Sequence, residues 1–245
     1  MTSSGLRMSR DRSSSTAVRS VHEPAGSLKA LIFDVDGTLY EQAPVRRAML
    51  YRILRTNLTS PRQGVVTLRT LYSYREAHEQ LRNIPPDSSG IAGTQLLLAS
   101  KAAGVSPEMI ASCVARWMEQ EPLSLLGAWI RKGTVELLRA AKRSGLRLAV
   151  CSDYPADRKL AAMGIAAFFD IVVTAQDPEV QRLKPDPRGL EVTLQRLAVR
   201  RNEAVYIGDR ADVDAVAASR AGIQHFILRA GQSFTELSEL WMRPS

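Results

Sequence analysis

The chain has 245 residues, of which 45% are hydrophobic and 24% charged, and its formal net charge is +8. This balance excludes disorder of the whole, and the length suits one domain with an insertion or two small domains. No apolar run approaches the roughly 20 residues of a membrane span. The arginines are scattered among acids and form no aromatic-interleaved basic stripe, so an anionic small molecule, rather than nucleic acid or a membrane, suits the positive bias.

In chain order, residues 1–28 are rich in Ser and Arg and lack the apolar core of a secretory signal, which predicts a disordered tail. Asp11 and Glu23 count against a transit peptide. The run "KALIFD" (29–34) is continuous rather than alternating, the pattern of a strand buried on both faces. From Glu41 to about Leu125 the pattern changes to helical periodicity with no strand of similar quality. "PVRRAMLYRILRTNL" (44–58) and "GTQLLLASKAAG" (93–104) predict amphipathic helices, and "IPPDSSG" (84–90) a loop. "SPEMIASCVARWMEQEP" (106–122) predicts a helix capped by Ser106, with Pro107 in its first position.

Beyond residue 126 the strands resume: "LRLAVCSD" (146–153), "FDIVVTA" (169–175), "EAVYIGD" (203–209) and "HFILRA" (225–230). Helical patterns alternate with them, at 134–145, 156–164, 187–198 and 212–222. Strand–helix alternation with short connections predicts an open α/β sheet, with ligands beyond the carboxyl ends of its strands. The expected plan is a core of 29–40 and 126–230, a helical insertion of 41–125, and a C-terminal tail of 231–245. Cys113 and Cys151 lie far apart without a CxxC, so neither a zinc site nor a disulfide is expected, and a reduced, cytoplasmic setting fits.

Three of the interior runs end in Asp: Asp34, Asp153 and Asp209. Acids at these ends face one crevice. Asp34 and Asp36, two residues apart, would lie about 7 Å from each other on an extended strand, and closer if Gly37 turns the chain. A carboxylate can attack phosphorus, and a second can move the proton of a leaving group or of water. The stretch "DVDG" (34–37) also reads as a solvated turn closing a strand. Asp209 offers an oxygen to a hard cation, or caps the helix that follows, with Asp212 and Asp214 near the same helix start. Ser152 offers a hydroxyl to a phosphate oxygen, or caps a helix. Lys184, before Pro185, offers a positive charge, or is a surface lysine.

Taken together and in this order, the set resembles the haloacid dehalogenase superfamily, which is mostly phosphatases. Its DxDGT motif matches Asp34, Asp36, Gly37 and Thr38. Its Ser or Thr after a strand matches Ser152, its Lys before Pro matches Lys184, and its GD with a further acid matches Gly208, Asp209 and either Asp212 or Asp214. The resemblance spans about Ala30 to Leu228. It implies a Rossmann-like parallel sheet with an inserted helical cap, Mg²⁺ dependence and an aspartyl-phosphate intermediate. It implies Asp34 as nucleophile and metal ligand, and Asp36 as acid/base with its backbone carbonyl on the metal. It implies Asp209 as a further metal ligand, with Ser152 and Lys184 gripping phosphate. Dehalogenases of the family carry Tyr, and transport ATPases Thr, where this chain has Asp36, which suits phosphoester chemistry. The expected reaction is hydrolysis of a small soluble phosphomonoester, a phosphorylated metabolite. The alternatives are a phosphosugar mutase of the same superfamily, a receiver-type signalling domain, and a binding module that keeps the fold. A receiver domain fails on length and on the large insertion. Retention of Asp34, Asp36, Lys184 and Asp209 speaks against a mere binding module, since binding alone does not require the acid/base. One position departs from the family pattern: Asp153 stands where Asn is usual. It either turns outward or binds a polar part of the substrate.

Overall fold

The structure, a computed structural model, describes residues 27–235. The predicted N-terminal tail lies almost wholly outside this range, as does most of the C-terminal one. Five strands pair in parallel among the described residues: β1 (Ala30–Phe33), β2 (Arg147–Ser152), β3 (Ile171–Thr174), β4 (Ala204–Gly208) and β5 (Gln224–Ile227). Their order across the sheet is β3-β2-β1-β4-β5. The first strand is therefore central. Its last residue, Phe33, stands level with Val150 on one neighbour and Ile207 on the other. Asp34, Cys151 and Gly208 come next along the three strands, so the ends predicted to share a crevice do so. All five predicted strands are present; β1 to β4 are shorter at both ends than predicted, while β5 begins one residue earlier, at Gln224, and ends at Ile227.

Both faces of the sheet are covered, which is why the central strands read as unbroken apolar runs. On one side Leu31, Phe33, Leu148 and Val150 pack on Leu137, Leu138 and Ala141 of α6 (Thr134–Arg143) and on Leu160 of α7 (Asp157–Ala162). On the other side Ile32, Ala149 and Tyr206 pack on Leu190 and Leu197 of α8 (Arg188–Leu197) and on Ala217 and Ala218 of α9 (Val216–Ala221). The sequence reading ends this core at residue 230. Phe234 extends it: fully buried, it meets Phe33 edge-on at 6.0 Å, and its N–H bonds to Lys132 O. An aromatic ring that can cover the centre of the sheet is more stable there than in water.

The segment between β1 and β2 begins with α1 (Gln42–Thr56), α2 (Pro61–Leu81) and α3 (Gly90–Ala103). It continues through α4 (Pro107–Val114), which runs on as a wider turn over Ala115–Gln120, and the short α5 (Leu123–Leu126). The Ser106 hydroxyl caps α4 by accepting the Met109 N–H at 3.3 Å. A small core of Tyr74, Ala77, Ala99, Ala103, Ile110 and Val114 joins α2, α3 and α4. The longest helix, α2, carries no plain apolar stripe. Its buried face includes Gly64, Thr67, Thr70 and Ser73, which pack closely because they are small, and which pattern reading passes over. The chain leaves and re-enters the sheet domain side by side: Glu41 N–H bonds to Trp129 O, and Arg131 N–H to Leu39 O, each at 2.9 Å.

Candidate active site

After β1 the backbone turns at once. Thr38 and Leu39 N–H both bond to Val35 O, at 3.2 and 3.0 Å. Gly37 takes φ +94°, and a Cβ there would lie 2.7 Å from Cγ of Asp209. Glycine is therefore needed twice over, for the positive φ and for the approach of the β4 end. The buried Arg131 fixes the turn from behind, donating to Thr38 O at 2.8 Å, to Gln232 O at 2.7 Å and to Gly37 O. Gly37→Ala is expected to destabilise the protein by about 1–3 kcal/mol, the usual cost of a residue forced into a sparsely populated backbone region. A urea midpoint unchanged from wild type would show that the turn has slack.

The turn sets Asp34 against Lys184. Lys184 Nζ donates to Asp34 Oδ1 at 2.6 Å, to Asp214 Oδ1 at 2.7 Å and to the Tyr206 hydroxyl at 2.9 Å, and the lysine is buried. The sequence left Asp212 and Asp214 as alternatives. Asp214 is the acid of the site. It is buried, with its second oxygen accepting the N–H groups of Asp209 at 3.2 Å and Arg210 at 3.0 Å. Asp212 points to solvent and pairs with Arg210 at 2.7 Å. Gly208 belongs to the same fit: a Cβ there would stand 2.5 Å from Cγ of Asp214.

The acids differ in proton affinity for physical reasons. Burial raises Asp34 well above the ordinary carboxylate value and Asp214 adds to this, while Lys184 opposes it. Asp209 is raised by the same burial and by Asp214. Burial pushes Asp214 up as well, but Lys184, the Arg210 backbone amide and Tyr206 outweigh it and hold it low. Lys184 is held charged: its burial is overcome by Asp214 and Asp34.

Asp36 is placed apart from these three. Lys159 Nζ, from α7, donates to its two oxygens at 2.7 and 2.5 Å, and the Tyr40 hydroxyl donates to Oδ1. Burial would raise Asp36, but Lys159 and Tyr40 together hold it below its ordinary value. Neither partner was evident from the sequence. Lys159 lies in the middle of an ordinary helical pattern, and only the four-residue spacing from Asp36 hinted at Tyr40. Ser152 is buried at the end of β2, and its hydroxyl accepts the Tyr154 N–H at 3.3 Å.

Asp153 does not turn outward, and it lines the cavity. It is buried, and Arg82 at the end of α2 donates to its Oδ2 at 2.6 Å, while Lys184 N–H donates to Oδ1 at 3.0 Å. Its burial is thus offset by Lys184, His78 and Arg82, which hold it ionised. Arg82 also pairs with Glu79 at 2.8 Å, and Glu79 with Arg210 at 3.0 Å. An acid in place of the usual Asn is therefore balanced by an arginine supplied from the insertion.

The donor set fits a hard divalent cation. One oxygen from each of Asp34, Asp209 and Asp214 can lie within 4.8 Å of the others. All-oxygen carboxylate donors are what Mg²⁺ takes. The Asp36 carboxylate is not in this cluster, because Lys159 and Tyr40 occupy it. Asp34, Asp36, Ser152, Lys184 and Asp209 all line one cavity of about 540 Å³, with helices of the insertion forming its other walls. The residues singled out in the sequence are thereby brought together.

A family model described as haloacid dehalogenase-like hydrolase matches residues 28–222. A glyceraldehyde 3-phosphate phosphatase of Methanopyrus kandleri is 28% identical, over 84% of this chain and 85% of its own. A phosphoglycolate phosphatase of Rhodospirillum rubrum is 28% identical, over 86% of this chain and 84% of its own. Among solved structures, the HAD-hydrolase YfnB of Bacillus subtilis, determined bound to magnesium, superimposes with a TM-score of 0.62 at 14% identity, covering 88% of this chain and 99% of that one. The chain belongs to the haloacid dehalogenase-like hydrolase family.

Proposed function

We propose that this haloacid dehalogenase-like hydrolase is a Mg²⁺-dependent phosphatase that cleaves a small phosphomonoester through an aspartyl-phosphate on Asp34. The observation that carries the reading is the meeting of Asp34, Asp209, Asp214 and a fully paired Lys184 at the ends of β1 and β4. Relatives named as phosphatases of small metabolites, matched over 84–86% of each chain, support the same class of reaction.

In this mechanism Ser152 and Lys184 hold the phosphate with its phosphorus before Asp34. An oxygen of Asp34 forms the new bond to phosphorus, and the bond to the alcohol oxygen breaks. Asp36 stands where the leaving oxygen needs a proton. Lys159 and Tyr40 hold its proton affinity low beforehand; the arriving phosphate dianion raises it, so that Asp36 takes up a proton from solvent as substrate binds and passes that proton to the leaving oxygen. Water then attacks phosphorus, Asp36 takes its proton, and inorganic phosphate departs with Asp34 restored. Asp34, Asp209 and the Asp36 carbonyl would hold Mg²⁺, with Asp214 supporting from behind. When bound, Mg²⁺ neutralises charge on the phosphate and on the crowded acids. The helices of 41–125 act as a cap that closes over the strand ends and excludes water, hinging near Glu41–Pro44 and Pro122–Lys132.

Release of inorganic phosphate from a panel of phosphometabolites with Mg²⁺ tests the reading, and isomer formation without phosphate release would point to a mutase. EDTA is expected to remove activity and Mg²⁺ to restore it. Ca²⁺ should serve poorly, since its larger and looser shell misplaces the attacking oxygen. Because Asp34 holds a proton more tightly than an ordinary carboxylate, Mg²⁺ must displace that proton. Its apparent affinity should therefore tighten as pH rises above the ordinary carboxylate range of about 4. Full activity in protein shown by elemental analysis to be metal-free would refute the metal's part.

A further inference from the structure

The cavity over the strand ends, about 540 Å³, lies within the roughly 300–1,000 Å³ of pockets that enclose drug-sized ligands. It offers far more room than a three-carbon phosphate needs. Its floor is the charged site described above. Its walls on the insertion are mixed, with an apolar part made by Met49 and Leu50 of α1, Leu68 and Tyr72 of α2, and Trp117 and Met118 beyond α4, and a polar part that includes Arg46, Arg75 and Glu119. Met49 and Trp117 are buried against the core, but Leu50 is 46% exposed and Tyr72 66% exposed.

The apolar surface continues past the mouth. Leu50 and Leu54 are four residues apart on α1, and Val65, Leu68 and Tyr72 recur at i, i+3 and i+7 on α2. Each set therefore lies along one side of its helix. Of ten exposed large apolar side chains among the described residues, six fall between Leu50 and Tyr72. The exposure is thus concentrated on the α1–α2 hairpin that walls the cavity. Single exposed apolar residues need no explanation, but a run of them leading into a pocket does.

We infer that the organic part of the substrate is an apolar alcohol, with its phosphate on Ser152 and Lys184 and its hydrocarbon against Leu50, Leu68 and Tyr72. The inference rests on the phosphatase reading and names its substrate class. The ester and one water give the free alcohol and inorganic phosphate. The phosphorus–oxygen bond to the alcohol breaks, the water oxygen ends on phosphorus, and one water proton ends on the alcohol. Hydroxyls laid on Leu50, Leu68 and Met118 would find no partner in those side chains, whereas each methylene laid there removes apolar surface from water. Arg46 and Arg75 line the same cavity and would favour a second anionic group on the substrate. That is the competing outcome.

The test measures phosphate release from n-alkyl phosphates, ethyl to hexyl, beside phosphoglycolate and glyceraldehyde 3-phosphate, with Mg²⁺. kcat/KM should rise about three- to fourfold per methylene, and hexyl phosphate should exceed both polar esters. Leu50→Gln and Tyr72→Gln should each lower the hexyl-to-ethyl ratio by about fivefold or more. A flat or falling series, or a preference for phosphoglycolate, overturns the inference and leaves the phosphatase reading standing. If no ester is cleaved, the phosphatase reading fails by itself, and n-alkylphosphonates titrated onto the protein with Mg²⁺ decide the cavity. A Kd that falls about three- to fourfold per methylene supports the apolar site, and a Kd independent of chain length overturns it.

Discussion

Asp34→Asn should abolish phosphate release while the protein still folds. A carboxamide cannot form the bond to phosphorus, and no other carboxylate can take its place. Asp36 is held aside by Lys159 and Tyr40, and Asp214 is bound by Lys184 and two backbone amides. Folding should survive because the amide oxygen still accepts from Lys184, and because the change removes a buried charge that burial and Asp214 both penalise. Metal-free Asp34→Asn should unfold at no lower temperature than metal-free wild type. Asp36→Asn is the companion. It keeps the nucleophile and loses the proton carrier, so turnover should slow by about 10²–10⁴ rather than vanish. Wild-type-like release by purified Asp34→Asn would remove the assignment outright. Equal losses in the two variants would mean that they do not divide the work as drawn.

The three central strands were legible because burial on both faces leaves an unbroken apolar run, and acids at the strand ends stand out against it. The site was legible where a residue type is rare in its setting: two acids and a glycine after "LIF", and GD after "VYI". It was not legible where the signal is only tertiary. Lys159 is an ordinary helical lysine until α7 is laid beside β1. Arg82 closes a helix like many arginines, and only the fold shows that it balances Asp153. Tyr206 reads as one more apolar strand residue, yet its hydroxyl, within 2.9 Å of both Lys184 and Asp214, is part of the charged cluster. The choice between Asp212 and Asp214 turned on the helix start. A wide turn over Ala211–Ala215 brings the second acid back over Gly208 and sends the first to solvent.

Lys184→Met should cost both activity and stability, and the two losses should separate. The lysine is buried between Asp34 and Asp214, so its removal leaves two acids facing each other without a cation. Breaking such a pair typically costs about 3–5 kcal/mol. The loss should depend on pH. Without Lys184, Asp34, already raised, binds its proton more tightly still, and Asp214 loses what chiefly holds it below the ordinary value. A group whose folded pKa is raised is satisfied when protonated, and destabilises the fold as it ionises on rising pH. The deficit of Lys184→Met against wild type, both in EDTA, should therefore be larger at pH 8 than at pH 5 in urea unfolding. Adding Asp214→Asn removes one of the two facing charges, so the double variant should recover part of the stability at pH 8. It should recover none of the turnover, because the phosphate still lacks its cation. A deficit that is the same at both pH values, or a double variant less stable than the single one, would mean that Lys184 holds the site by packing and not by charge.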